Sequence, residues 1–125
     1  MNALMAVAAG GAAGSVLRYL VGLQAGRWLG SGFPWGTLAV NVAGCFVMGL
    51  LVELMALHWS PGPALRTFLT VGLLGGFTTF SAFSLDVALL AERGDLALTL
   101  LYAAASVLLS VGGLFAGLHL IRWLG

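Results

Sequence analysis

Four long apolar runs, separated by short clusters of glycine, proline and polar residues, take up nearly all of the 125-residue chain. The clusters are Gly30-Ser31-Gly32-Phe33-Pro34, Ser60-Pro61-Gly62-Pro63 and Glu92-Arg93-Gly94-Asp95, residue types that end helices and make turns. The runs between them cover about residues 3–28, 35–57, 64–91 and 96–124. Each is long enough for a helix to cross the hydrocarbon of a bilayer, which takes about 20 residues. Trp28, Trp35, Trp59 and Trp123 all fall at the predicted ends, where aromatic side chains settle at a membrane–water interface. The pattern predicts an all-α integral membrane protein with four transmembrane helices, forming a single membrane domain over residues 1–125.

The third run is interrupted in its own middle. Gly75-Gly76-Phe77-Thr78-Thr79-Phe80-Ser81-Ala82-Phe83-Ser84 places paired glycines, four hydroxyls and three aromatic rings inside a stretch otherwise apolar enough to span. Lipid supplies no water to repair broken helical hydrogen bonds. Irregular backbone is tolerated there only when buried in protein or lining a wet cavity. The expectation is a third helix broken mid-membrane over Gly75 to Thr78, at a permeation or ion site.

Composition fixes the solvent and narrows the chemistry. Apolar residues make up 61% and charged residues 7%, against roughly 25% charged in soluble domains. No room is left for a soluble domain. The N-terminus lacks the basic segment of a cleaved signal peptide and reads as a retained first span. A net charge of +1 points to no polyanionic partner and away from nucleic acid. Cys45 is the single cysteine and reads as a small packing residue. His58 and His119 lack partners at metal-ligand spacing. No phosphate loop, nucleophile–base set or paired carboxylates are visible, so the chain reads as a non-enzyme.

The arginines outside the span interiors are balanced. Arg66 and Arg122 lie on the side of the N-terminus, Arg27 and Arg93 on the other. Orientation follows the Lys/Arg bias between sides, so this chain carries almost no instruction about which way to insert. Insertion both ways, with head-to-tail pairing, is one reading; a single orientation set by the terminal amine is the other.

Polar groups inside the spans form stripes. Thr37, Asn41 and Cys45 share one face of the second span, and Thr99, Tyr102, Ser106 and Ser110 one face of the fourth. Asn41 is either interhelical glue or a pore-lining donor, and the serines bond either their own helix or a transported ion. Arg18, deep in the first span, needs a partner, a water-filled vestibule or an interface to reach. Phe80 and Phe83, three apart, either pack or turn their positive ring edges to an anion. Asp86 is the deepest carboxylate, within reach of a hydroxyl or an arginine. Small residues at four-residue spacing (Gly10 and Gly14; Gly22, Gly26 and Gly30; Gly113 and Gly117) promise close helix packing.

Those same positions carry a resemblance. Gly10-Gly11 with Gly14 and Arg18-Tyr19, Gly36-Thr37 with Val40-Asn41 and Gly44, and Gly75-Gly76-Phe77-Thr78-Thr79-Phe80-Ser81 with Phe83 resemble the CrcB/Fluc family of small fluoride channels over essentially the whole chain. The resemblance implies passive fluoride efflux across the bacterial inner membrane by an antiparallel, dual-topology homodimer with two pores. It implies that Phe80 and Phe83 form an aromatic box around fluoride, that Asn41 is the pore asparagine, and that Tyr102, Ser106 and Ser110 form a polar track. Arg18 would serve the vestibule. The backbone carbonyls of Gly75 and Thr78, from both subunits, would hold a central structural sodium ion. Asp86 stands where many relatives carry glutamate, and Ala82 replaces a common hydroxyl.

Two other classes compete. Small multidrug exporters are also four-span dimers, but they bind cations through an acid in the first span, where this chain has Arg18. A membrane assembly subunit would use the polar stripes only to join helices.

Overall fold

A computed structural model describes residues 2–125, and every described element is helical. Helix α1 (Ala3–Leu29) is capped by the Asn2 side chain, which accepts from the Met5 N–H at 2.8 Å. It ends at Gly30, whose φ of 79° is open to glycine at little cost. Helix α2 (Trp35–Leu57) follows the Phe33-Pro34 turn. The third span comprises α3 (Pro63–Thr67), a π-helical segment Phe68–Leu74, α4 (Gly75–Phe77) and α5 (Phe80–Glu92). Helix α6 (Leu96–Leu124) starts at an Asp95 cap, whose Oδ1 accepts from the Leu98 N–H at 3.1 Å. Four stretches, Ala3–Leu29, Trp35–Leu57, Pro63–Glu92 and Leu96–Leu124, are long and apolar enough to cross a membrane. They agree with the sequence-predicted spans to within a residue or so at each end.

The spans run up and down. The C-terminal ends of α2 and α6 meet: Arg122 Nη2 lies 3.0 Å from Glu53 Oε2, and Gly125 abuts His58. At the opposite end Arg93 Nη2 donates to the Gly32 carbonyl at 3.2 Å. Helices α2 and α6 therefore run parallel and pack closely, while α1 packs along the third span.

Glycine makes both contacts possible. A Cβ on Gly10 would lie 2.6 Å from the Phe68 carbonyl oxygen and 2.9 Å from Gly72 Cα. One on Gly14 would overlap the Leu73 carbonyl, and one on Gly117 the Phe46 carbonyl. These are backbone-to-backbone crossings, which small residues permit in lipid. The predicted Gly22-Gly26-Gly30 series is only partly of this kind. A Cβ on Gly36 would lie 3.0 Å from Gly22 Cα, but a Cβ on Gly22, Gly26 or Gly30 itself would meet nothing within 4 Å.

The π-helical segment is a feature the sequence pattern does not predict. It coincides with the crossing of α1, where Gly72 lies against Gly10. A widened turn admits an extra residue and rotates all that follows, a device common near functional sites. Little of the molecule is internal: between 11% and 28% of each apolar window is buried, so most of the bundle's outer surface is apolar.

Candidate functional site: a polar groove at the helix interruption

The α-helical path of the third span is interrupted at Thr78 and Thr79. Their backbones are extended, with φ −88°, ψ 158° and φ −153°, ψ 121° respectively. Gly75, Gly76 and Phe77 keep helical geometry, so the interruption falls later than the glycines suggest. Gly76 serves packing instead. A Cβ on Gly76 would lie 2.8 Å from the Gly11 carbonyl oxygen and 3.2 Å from Ser15 Oγ.

Several of the broken backbone bonds can be followed. In a continuous helix the carbonyls of Gly75, Gly76 and Thr78 would receive the N–H groups of Thr79, Phe80 and Ala82. Here the Thr79 N–H donates to Asn41 Oδ1 at 2.7 Å, and the Ala82 N–H donates to Thr79 Oγ1 at 3.1 Å. Asn41 Nδ2 returns a bond to the Thr79 carbonyl at 3.0 Å. Arg18 Nε donates to the Gly76 carbonyl at 3.0 Å. The carbonyl of the non-helical Thr78 receives no hydrogen bond from the described residues. Asn41 thus acts as interhelical glue, clamping an extended residue from a neighbouring helix, and keeps one Nδ2 hydrogen free.

Asn41 also stands in the wall of a groove of about 320 Å³ between α2, α5 and α6. Asn41, Cys45, Thr78, Thr79, Phe80, Phe83, Ser106 and Ser110 line it with Val107 and Val111. Ser106 Oγ and Ser110 Oγ are buried and have no partner at hydrogen-bonding geometry, though the Tyr102 hydroxyl and the Cys45 thiol are their respective polar neighbours. The contrast with neighbouring hydroxyls is sharp. Thr70, Thr78, Ser84 and Thr99 each donate to the carbonyl four residues earlier, at 2.7 to 3.0 Å. A buried hydroxyl left unpaired costs about 1–3 kcal/mol, so the two serines stand as donors held ready in an apolar wall.

The aromatic rings are unequal. Phe83 is 9% exposed and Phe80 76% exposed, with ring centroids 5.4 Å apart. Phe80 therefore presents most of its ring outward from this chain. Tyr102 is fully buried behind Phe83, centroids 5.3 Å apart, and its hydroxyl donates to Asp86 Oδ2 at 3.0 Å.

The groove gathers Asn41, Phe80, Phe83, Ser106, Ser110 and Thr78. It does not include Tyr102, which packs against Phe83, or Arg18, which lines a separate cleft of about 260 Å³ with Tyr19, Thr37 and Thr79. Gly75 lies on the exposed side of the third span. Sequence reasoning missed Thr79, the residue Asn41 clamps and the cap of α5. A threonine opening a helix after a glycine-rich stretch is a readable cap signal.

Over residues 5–118 the chain matches the family described as CrcB-like protein, Camphor Resistance (CrcB). The chain belongs to the CrcB family. It is 62% identical over 122 residues to a protein of Rhodospirillum centenum named "Fluoride-specific ion channel FluC", covering 98% of this chain and 97% of that one. Proteins of the same name from Nitrobacter winogradskyi and Agrobacterium fabrum are 55% and 56% identical, over 95% and 93% of this chain and 94% and 93% of theirs. The CrcB resemblance noted in the sequence thus holds over nearly the full length, and these relatives are named as ion channels. The groove is the polar feature of this CrcB chain that combines free donors with an apolar wall.

Proposed function

We propose that this chain is a fluoride channel that lets the ion run passively out of the cell through the bacterial inner membrane. The observation that carries the reading is the pair of orphaned hydroxyls, Ser106 and Ser110, in the groove with Asn41 and the Phe80 and Phe83 rings. Stripping water even from a carboxylate-sized ion costs of order 20 kcal/mol in the idealised limit, and fluoride is smaller. Several neutral donors in a row replace that water without a fixed positive charge that would trap the ion. Ring edges of Phe80 and Phe83 add positive electrostatic contacts of the same neutral kind.

The working unit we propose is an antiparallel homodimer with two pores. The apolar outer surface, the 76% exposure of Phe80 and the balanced arginines favour it. The interruption then lies mid-membrane and near the dimer axis. There the backbone carbonyls of Gly75 and Thr78, beside the break, would suit a hard monovalent cation, since main-chain carbonyls freed by an unwound helix are its usual ligands. A structural sodium ion shared by two copies would bring oxygens from both. Its charge would also ease the approach of an anion.

The deciding experiment is fluoride efflux from proteoliposomes, followed with a fluoride electrode. Fast passive efflux that needs no gradient of another ion is expected. Vesicles that hold fluoride as tightly as protein-free ones would refute the channel.

A further inference from the structure

Tyr102 packs between Phe83 and Phe33, which line two different cavities. On one side lies the polar groove, lined by Phe83 and Ser106. On the other lies a cleft of about 340 Å³ at the α1–α2 connection, lined by Phe33, Thr37, Asp86 and Arg93 among others. The buried Tyr102 ring is held between Phe83, with centroids 5.3 Å apart, and Phe33, edge-on at 5.3 Å and 87°. Phe83, the Tyr102–Asp86 pair and Phe33 thus stand in a row between groove and cleft.

Phe33 belongs to no helix, yet it is held from three directions. Its ring rests on Trp35 with centroids 4.6 Å apart, its carbonyl accepts from the Trp35 N–H at 2.9 Å, and Arg93 anchors the carbonyl of the preceding Gly32 at 3.2 Å. The backbone leading to it is otherwise uncrowded. Gly30 has a φ of 79°, and a Cβ on Gly30 or Gly32 would touch nothing within 4 Å. The side chain is well packed, while the segment that carries it has room and glycine freedom to swing.

We propose that Phe33 is the stopper at the loop end of the conduction path. Its ring must leave Tyr102 before an anion can cross between groove and cleft, and Arg93 sets how readily it does so by holding Gly32. The inference rests on the channel reading above and adds a rate-determining residue outside the groove. Size is the key to its test. A stopper conducts faster when made smaller and slower when made larger, whereas a residue that only packs Tyr102 slows conduction in both cases.

The full-length Phe33→Ala and Phe33→Trp variants are reconstituted and compared with wild type by fluoride-electrode efflux. Phe33→Ala is expected to be faster by at least about threefold, a modest lowering of the barrier, and Phe33→Trp slower. Arg93→Gln leaves every ring in place and loosens only the loop anchor, so it too is expected to speed efflux. The stopper is overturned if Phe33→Ala, in protein that elutes as wild type does, is no faster than wild type. Should Phe33→Ala fail to fold, Arg93→Gln decides: an unchanged or slower rate overturns the inference. A wild type that carries no fluoride removes the channel reading itself, a different result from an active wild type with the wrong order of variants.

Discussion

Ser106 and Ser110 differ from the other span hydroxyls in what they leave undone. A serine inside a helix ordinarily bonds the carbonyl one turn back, as Ser84 and Thr99 do here. The free Oγ atoms are therefore a property of these two sites and not of the residue type. Stability and conduction should respond oppositely to their removal. In Ser106→Ala and Ser110→Ala a buried unsatisfied group disappears, so thermal stability in detergent should hold or rise. The penalty relieved is at most about 1–3 kcal/mol. Fluoride efflux should fall roughly tenfold per site, the effect of losing about 1.4 kcal/mol of transition-state stabilisation. Stability that drops by more than about 1 kcal/mol would show that the hydroxyls hold the fold together and face no ion.

At the scale of elements, two devices keep the interruption in place: the glycine crossings and the polar clamps. Gly10 and Gly14 bring α1 against the backbone of the third span, and Arg18 on that same helix holds the Gly76 carbonyl. Asn41 on α2 holds Thr79 from the other side. Gly14→Ala tests the first device. Its Cβ would overlap the Leu73 carbonyl and lie 2.9 Å from the Phe77 nitrogen, both backbone atoms that cannot rotate away. Overpacking of this kind costs about 1–3 kcal/mol. The variant should unfold at lower temperature and conduct more slowly, because the Arg18 bond moves with α1. Gly112→Ala, whose Cβ meets nothing within 4 Å, is the control and should lose no stability.

The element boundaries were legible because lipid imposes a length and a polarity on every span. Trp35–Leu57 and Leu96–Leu124 fall where the breakers put them. The interruption was legible as a region and misplaced in detail. Glycine marks either a break or a close approach, and only the neighbour opposite tells which. Gly76 faces Gly11, so it is an approach; Thr79 faces Asn41, so it is the break. The π-helical Phe68–Leu74 had no signal of its own in the pattern, and it lies where Gly72 crosses Gly10.

At the scale of the whole molecule, the even division of arginines bears on assembly. With two on each side, neither orientation is favoured by charge. Ser60→Lys with Gly62→Lys adds two positive charges to the side that already holds Arg66 and Arg122. A Cβ on Gly62 meets nothing within 4 Å, so the fold should bear the change. Terminal reporters should then find that side almost entirely cytoplasmic. If function needs oppositely oriented partners, cellular fluoride resistance should fall with it. Unaltered resistance at a single orientation would rule out the antiparallel dimer.

Periodicity, composition and breakers by themselves determined that this chain is a four-span membrane protein, because the cost of exposing backbone and charge to hydrocarbon leaves few alternatives. They also marked Asn41, Phe80, Phe83, Ser106 and Ser110 as the polar and aromatic intruders that such a protein must account for. What each intruder does was decided by tertiary structure alone. Asn41 and Arg18 are joined to backbone groups 38 and 58 residues away, and Tyr102 is separated from the groove by Phe83. Two serines in one helical stripe with Thr99 keep their hydroxyls free, while Thr99 does not. Hydrogen-bond satisfaction is a relation between atoms brought together by folding, and no residue's type or spacing contains it.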